Sequence, residues 1–279
     1  MGFQKIAQDN LIYKCLVGSH LYGTETSDSD RDEKGVFIPT EQMVLGLKKC
    51  EQVEFKTNKS NSGKRNTKED IDVEVYNLIK FFHLLAVNSP NNIELLFAPD
   101  KCILKRTKYW DEILDNKDAF LSLKVKHTFL GYAYTQRNKI VTKRQTYLNF
   151  LEIEKEKGED QAKKETGFGE RLEYYRKFGF DTKFSAHLIR LLFEGIEILR
   201  EGKLYFPLHQ NNFIRDIKLG KYSLEEVLGF ADKHEAYMMD AYIKSPLPHT
   251  PDLGRIEKLQ IKLLKEYWEE AERIGVKEC

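Results

Sequence analysis

The sequence predicts an α+β protein: strands and helices interleaved over residues 1–105, then an α-helical domain over residues 106–279. Three observations predict it. Apolar or alternating runs of strand length occur at Leu11–Val17, Gly35–Ile38, Glu51–Thr57 and Asp70–Val75. A helical pattern at Leu78–Val87 follows the last of these. After about residue 105 the strand signals thin out, and capped helical segments take over.

Bulk properties narrow the class. The chain has 279 residues, 41% hydrophobic and 32% charged, which is the balance of a soluble globular protein with a real core. A net charge of +1 gives no global field, so any nucleic-acid contact must come from local basic patches. Cys15, Cys50, Cys102 and Cys279 show no C-x-x-C spacing, which argues against a structural zinc site. Met1–Asn10 lacks the apolar core of a signal peptide, and no apolar run approaches a membrane span. The expectation is a cytoplasmic protein with reduced thiols and no membrane partner.

The elements follow in order. Leu11–Val17 reads as a buried strand that runs into a Gly18-Ser19 turn at a helix start. Gly35–Ile38 reads as a second strand closed by Pro39. Asn58–Glu69 is polar, holds Gly63 and four basic residues, and reads as an exposed loop. Asp70–Val75 alternates strictly, with acids on one face and branched apolar residues on the other. Asn88–Asn92 breaks the helix before it. A helix starts near Val125 and passes Lys143; the very polar Glu152–Thr166 is either a solvated helix or an excursion helped by Gly158 and Gly167. Asp181 is an N-cap residue for a helix ending near Gly202. Ser223-Leu224-Glu225-Glu226 is a capping box, and Pro246, Pro248 and Pro251 precede a final helix from about Asp252.

The chemistry concentrates around the first turn. Gly18 and Ser19 offer backbone N–H groups, the makings of a phosphate site. Asp28, Asp30, Asp32 and Glu33 crowd within six positions, and such a cluster is relieved by a bound cation. On an extended chain Asp30 and Asp32 point to one face. An EF-hand loop is excluded: its sixth position would be Glu33 instead of Gly, and its twelfth Pro39 instead of Glu. A further acid on a later strand, Asp72 between Ile71 and Val73, extends the set to what a two-metal site needs.

Gly18-Ser19-x-x-Tyr22-Gly23, followed by Asp30-x-Asp32-x-x-Gly35, resembles the signature of the DNA polymerase beta nucleotidyltransferase superfamily, and more narrowly that of its RlaP-type branch. The likeness runs on through Asp28–Pro39, Asp72–Leu85 with Lys80-Phe81, and Asn88–Phe97, where Ser89 stands inserted beside the Asn-Pro pair. Lys183-x-x-x-His187-x-x-Arg190-Leu191-Leu192 and Leu247-Pro248-x-x-Pro251-Asp252 resemble later motifs, whereas Glu152–Arg176 shows little likeness. Gly35 sets the register, so the acid pair is Asp30 and Asp32.

The resemblance implies a small mixed nucleotidyltransferase sheet with flanking helices. It implies transfer of a nucleoside monophosphate from a nucleoside triphosphate to an acceptor hydroxyl, with pyrophosphate released and two Mg²⁺ or Mn²⁺ ions as cofactors. Asp30 and Asp32 would ligate both ions, with Asp72 as the third acid; Asp70 and Glu74 share its face and stand as alternatives. Gly18 and Ser19 would grip the β- and γ-phosphates. An RNA 3′ end is the leading acceptor, given the family's association with RNA repair. A protein side chain, a small molecule, or a non-catalytic nucleotide- or RNA-binding role are the competing readings.

On the Asp181–Glu201 helix, Lys183, His187, Arg190, Glu194 and Glu197 form one face. The stripe is either a solvated face or a cation cluster for a triphosphate or RNA backbone. Its match to the family motif makes Lys183, His187 and Arg190 candidate cofactor-binding residues. Lys139, Lys143 and Arg144, preceded by Tyr132, Tyr134 and Gln136, form a second basic cluster that suits either a nucleic-acid backbone or plain solvent.

Overall fold

The computed structural model describes residues 2–27, 29–56, 70–169 and 172–274. The expected loop over Asn58–Glu69 lies outside them, as do Asp28 and Cys279.

Helix α1 (Phe3–Asp9) leads into strand β1 (Leu11–Leu16). One helical turn, α2 (Ser19–Tyr22), follows and ends on Gly23 in the left-handed region. Strand β2 spans Arg31–Phe37, starting well before the expected Gly35. After Pro39, Thr40 caps α3 (Glu41–Leu45) by accepting from the Met43 N–H. Strands β3 (Gln52–Lys56) and β4 (Ile71–Asn77) come next. Asn77 ends β4 and caps α4 (Leu78–Ala86), accepting from the Lys80 N–H at 2.7 Å. The expected break at Asn88 holds, but Pro90 opens α5 (Pro90–Ile93), which continues as a 3₁₀ turn over Glu94–Phe97. A short strand unread in the sequence, β5 (Ile103–Arg106), precedes α6 (Lys108–Asp115).

Helices make up the remainder: α7 (Lys124–Lys157), α8 (Glu159–Thr166), α9 (Leu172–Phe178), α10 (Thr182–Glu201), α11 (Asn211–Lys218), α12 (Leu224–Lys244) and α13 (Leu253–Ile274). The polar stretch over Glu152–Thr166 is therefore helical, broken at Gly158, where φ is 87°. The Asp181 carboxylate caps α10, accepting from the Lys183 and Phe184 N–H groups at 3.0 and 3.1 Å. Both halves of the capping box at Ser223 and Glu226 are formed.

The chain divides into two compact units. The first gathers residues 1–125, 201–209 and 246–279, so position 105 falls inside it, at the end of β5. The second holds residues 126–200 and 210–245.

In the first unit the strands form a mixed five-stranded sheet in the order β3-β4-β2-β1-β5. Only β2 and β4 pair in parallel; the other pairs are antiparallel. One face is covered by α1 and α3, through Ala7, Met43, Phe37, Val53 and Val75. On the other, Tyr13 stacks on Trp110 with centroids 3.7 Å apart, and Phe81 packs against the same indole. α13 lies along α4, and its Trp268 Nε1–H donates to the Pro39 carbonyl at 2.8 Å.

In the second unit α10 is buried on nearly every side. A β-carbon on Gly195 would stand 2.5 Å from Met238 Cε and 3.1 Å from Phe129 Cβ, so the glycine sets how closely the helices approach. Tyr147, Phe150, Ala162, Phe168 and Tyr175 form a separate apolar cluster where α7, α8 and α9 meet.

Candidate active site

The site begins where β1 ends. Gly18 takes φ 65° and ψ −141°, a region open to glycine, and turns the chain from β1 into α2. A β-carbon there would lie 2.9 Å from Oδ2 of Asp32, so the bare turn and the carboxylate sit in contact. The Val17 N–H donates to the Asp32 carbonyl at 2.9 Å, which fixes β2 against the turn from the backbone side.

Register then brings in the next acid. In the parallel pair Asp32 stands opposite Asp72, and Lys34 opposite Glu74. Paired residues share a face, so Asp32, Lys34, Asp72 and Glu74 form a square on one side of the sheet. Within it Lys34 takes up Glu74 at 3.6 Å and also donates to the Asn91 carbonyl at 3.0 Å. Glu74 is thus tied to a cation, while Asp72 faces Asp32, with Lys56 Nζ from β3 at 4.0 Å. Asp30 lies just outside β2, two positions before Asp32, and Asp70 accepts from the Arg31 N–H through its carbonyl.

Glu33 points to the opposite face. It is 3% exposed and neutralised by Lys14 and Arg31, each at 2.7 Å. The charges of β2 are therefore sorted: one acid is buried in an ion triad, and its neighbour Asp32 lies on the other face, beside the Gly18 turn.

The turn is braced from behind. The Tyr22 hydroxyl donates to Glu94 Oε2 at 2.7 Å, and Glu94 is 2% exposed. Tyr22 also packs on Phe206 and accepts the Leu208 N–H through its carbonyl. In the sequence Tyr22 and Glu94 are each visible only as one letter of a motif. Cys15 sits opposite Lys34 on this face, but burial pushes its thiol up to about 12, so it stays protonated and is no nucleophile.

Among the described residues no three His, Cys, Asp or Glu side chains gather into a metal cage. The set fits a different mode of binding: Mg²⁺ is held by one or two carboxylates together with substrate phosphates. Asp32 and Asp72, beside a turn of bare N–H groups, form such a donor set.

Lys183, His187 and Arg190 belong to the second unit and share a face of α10. They are not the solvated stripe that spacing alone suggests. Arg190 and Glu194 are 4% and 1% exposed, and the guanidinium donates to both carboxylate oxygens at 2.8 and 2.7 Å. Arg190 Nη2 also lies 2.5 Å from His187 Nε2. Burial, with Arg190 and Lys139 nearby, pulls the imidazole down to about 3, so at neutral pH His187 is uncharged and accepts from Arg190. Lys183 is exposed.

The model of the RlaP family, described as the RNA repair pathway DNA polymerase beta family, matches residues 2–256. The chain belongs to this family. It is thus a member of a polymerase beta-like nucleotidyltransferase family, and the mixed sheet with flanking helices agrees with what that membership implies. The chain is also 26% identical, over 296 aligned positions, to an uncharacterized 38.9 kDa protein from the nrdC–mobD intergenic region of Enterobacteria phage T4. That alignment covers 79% of this chain and 86% of the phage protein. A crystal structure of a nucleotidyltransferase-like protein from Exiguobacterium sibiricum 255-15 aligns over 87% of this chain and 75% of its own, at 9% identity and a TM-score of 0.28. No helix among the described residues is long and apolar enough to cross a membrane.

Proposed function

We propose that this RlaP-family chain transfers a nucleoside monophosphate from a nucleoside triphosphate to the 3′ hydroxyl of an RNA, releasing pyrophosphate. The observation that carries the reading is the register of β2 and β4. It sets Asp32 opposite Asp72 on one face, with the Gly18 turn against Asp32.

Asp30 and Asp32 are proposed to hold two Mg²⁺ or Mn²⁺ ions, with Asp72 completing the site. Such ions supply charge neutralisation at the phosphates and activation of the attacking oxygen. The Gly18 and Ser19 N–H groups hold the β- and γ-phosphates. The acceptor oxygen attacks the α-phosphorus, the bond to the bridging oxygen breaks in line, and the hydroxyl proton passes to Asp72. The register, which sets Asp72 directly opposite Asp32, favours Asp72 over Glu74 as the third acid. The Lys183, His187 and Arg190 motif is proposed to serve the triphosphate, with Lys183 as its exposed cation and the buried Arg190, neutralised by Glu194, and the uncharged His187 supporting it from within α10. The catalytic part is assigned to residues 1–105 and the helical part to residues 106–279, acting in the cytoplasm.

The test is incubation with each α-labelled nucleoside triphosphate, Mg²⁺ or Mn²⁺, and an RNA bearing a free 3′ hydroxyl. Label is expected on the RNA end. Asp32→Asn and Asp72→Asn should each lower transfer about a thousandfold, ~4 kcal/mol of barrier, whereas Glu74→Gln should cost less than about tenfold. Label appearing on a protein or small molecule would keep the reaction and change the acceptor. No transfer under any condition, with Asp32→Asn leaving the biological activity intact, would point to a non-catalytic binding module.

A further inference from the structure

The second unit carries a cavity of about 310 Å³ that no part of the proposed reaction uses. Arg144 of α7, Lys177 at the end of α9 and Lys221 before α12 line it, together with Phe178 and Tyr222. Lys221 is held by Asp216 at 2.8 Å, and Lys177 lies over the Phe178 ring, 5.0 Å from its centroid. Phe178 and Gly220 fix the wall: a β-carbon on Gly220 would stand 2.2 Å from the Phe178 ring, and its φ of 76° favours glycine as well. Arg144 is the member of the basic Lys139–Arg144 cluster that reaches this cavity.

Tyr222 is also the first ring of a band. It meets Phe213 at 5.1 Å and Phe230 at 5.9 Å. Phe213 meets Phe193 at 6.2 Å, Phe193 meets His234 at 4.7 Å, and His234 meets Tyr237 at 5.4 Å. Every ring in this series is only half-buried or, at Tyr237, exposed. The contacts are edge-to-face, so each one occupies the face of only one of its two rings. A core cluster hides its rings, and an ordinary surface carries them singly rather than in a contiguous row. Cations at one end and a row of part-exposed rings beyond it are the two components that bind single-stranded nucleic acid: charge for the phosphates, ring faces for the bases.

We propose that the cavity lined by Arg144, Lys177 and Lys221, with the band from Tyr222 to Tyr237, is a docking surface for single-stranded nucleic acid. Backbone phosphate sits at the cations, and bases stack along the rings. That the strand is RNA rests on the function proposed above; the surface itself rests on the geometry of the second unit. Charge complementarity selects a polyanion, and the rings select one with flat, stackable groups.

The test is fluorescence anisotropy with a labelled single-stranded oligouridylate, without nucleoside triphosphate, on the full-length Asp32→Asn protein. Arg144→Glu combined with Lys177→Glu, both at exposed positions, should weaken binding at least about tenfold and flatten the salt dependence by roughly 1.4 in log–log slope, for two lost contacts at ~0.7 each. Tyr237→Ala, exposed and thus safe for folding, should cost about five- to a hundredfold. Unchanged RNA affinity in the charge-reversal and Tyr237→Ala proteins, with wild-type circular dichroism, would overturn the proposal. So would loss of an acidic peptide's binding with RNA binding untouched. Pyrophosphate release by the wild-type protein is scored separately. Release with unchanged RNA binding sinks the surface and leaves the reaction; ring- and cation-dependent binding without release does the reverse.

Discussion

Gly18→Ala tests whether the turn and Asp32 work as one piece. Two costs follow from the structure. The first is conformational: φ 65° with ψ −141° is close to a glycine-only region, and a β-carbon there costs about 1–3 kcal/mol. The second is a collision, because the new β-carbon would stand 2.9 Å from Asp32 Oδ2 and 3.7 Å from Asp32 Cβ and Cγ. Those atoms end a short side chain, so the carboxylate turns aside by a few tenths of an ångström. Displacements of that order at a reacting centre cost roughly ten- to a hundredfold in rate. Urea unfolding measures the first cost and pyrophosphate release the second. A cycle separates them: in an Asp32→Ala background the collision is gone, and Gly18→Ala should cost about 0.5 kcal/mol less in stability, or better. Transfer within about threefold of wild type and an unshifted unfolding midpoint would refute the coupling of turn and carboxylate.

Two further outcomes come from α10. Glu194→Leu removes the carboxylate that neutralises the buried Arg190 guanidinium and should cost about 3–5 kcal/mol by denaturant titration, while Arg190→Met with Glu194→Leu should recover most of it; equal losses in both would show that the pair is not desolvated. His187, pulled to about 3 by burial, binds its proton less readily in the fold than in the unfolded chain, where its value is near 6.5. Its contribution to stability is then complete above pH 6.5 and is lost as pH falls towards 3, by up to about 1.4 kcal/mol per unit. His187→Phe should flatten that slope, and an NMR titration placing the imidazole near 6 would contradict it.

Residues of the candidate site stand out in the sequence because local rules place them. Gly18 follows an apolar run, and Asp72 stands in an alternating one. The start of β2 was not legible. Arg31, Asp32, Glu33 and Lys34 look like loop residues, and pairing with β1 and β4, distant in sequence, makes a strand of them. β5 was missed for a related reason: Ile103-Leu104-Lys105-Arg106 is short and half polar, and it becomes a strand by pairing with β1 at the sheet edge. On α10 the spacing put Arg190 and Glu194 on one face, but a polar stripe normally means solvent. Its burial depends on which helices surround it, and no local pattern encodes that. Capping was read well at Asp181 and Ser223, because a cap is settled within four residues.

The unit that carries the acids is assembled from separated stretches of chain, and its last helix, α13, docks on α4 and ties Trp268 to Pro39. During synthesis some 150 residues must be added after residue 125 before that helix exists, roughly 7–30 s at ribosomal rates. The second unit is built almost entirely within that interval. The unit that carries the acids is thus begun before the second unit and completed after it, with Pro39 waiting for a tryptophan made 229 residues later. A message cut short before α13 yields an incomplete sheet-bearing unit, so a partial product is poorly equipped to act.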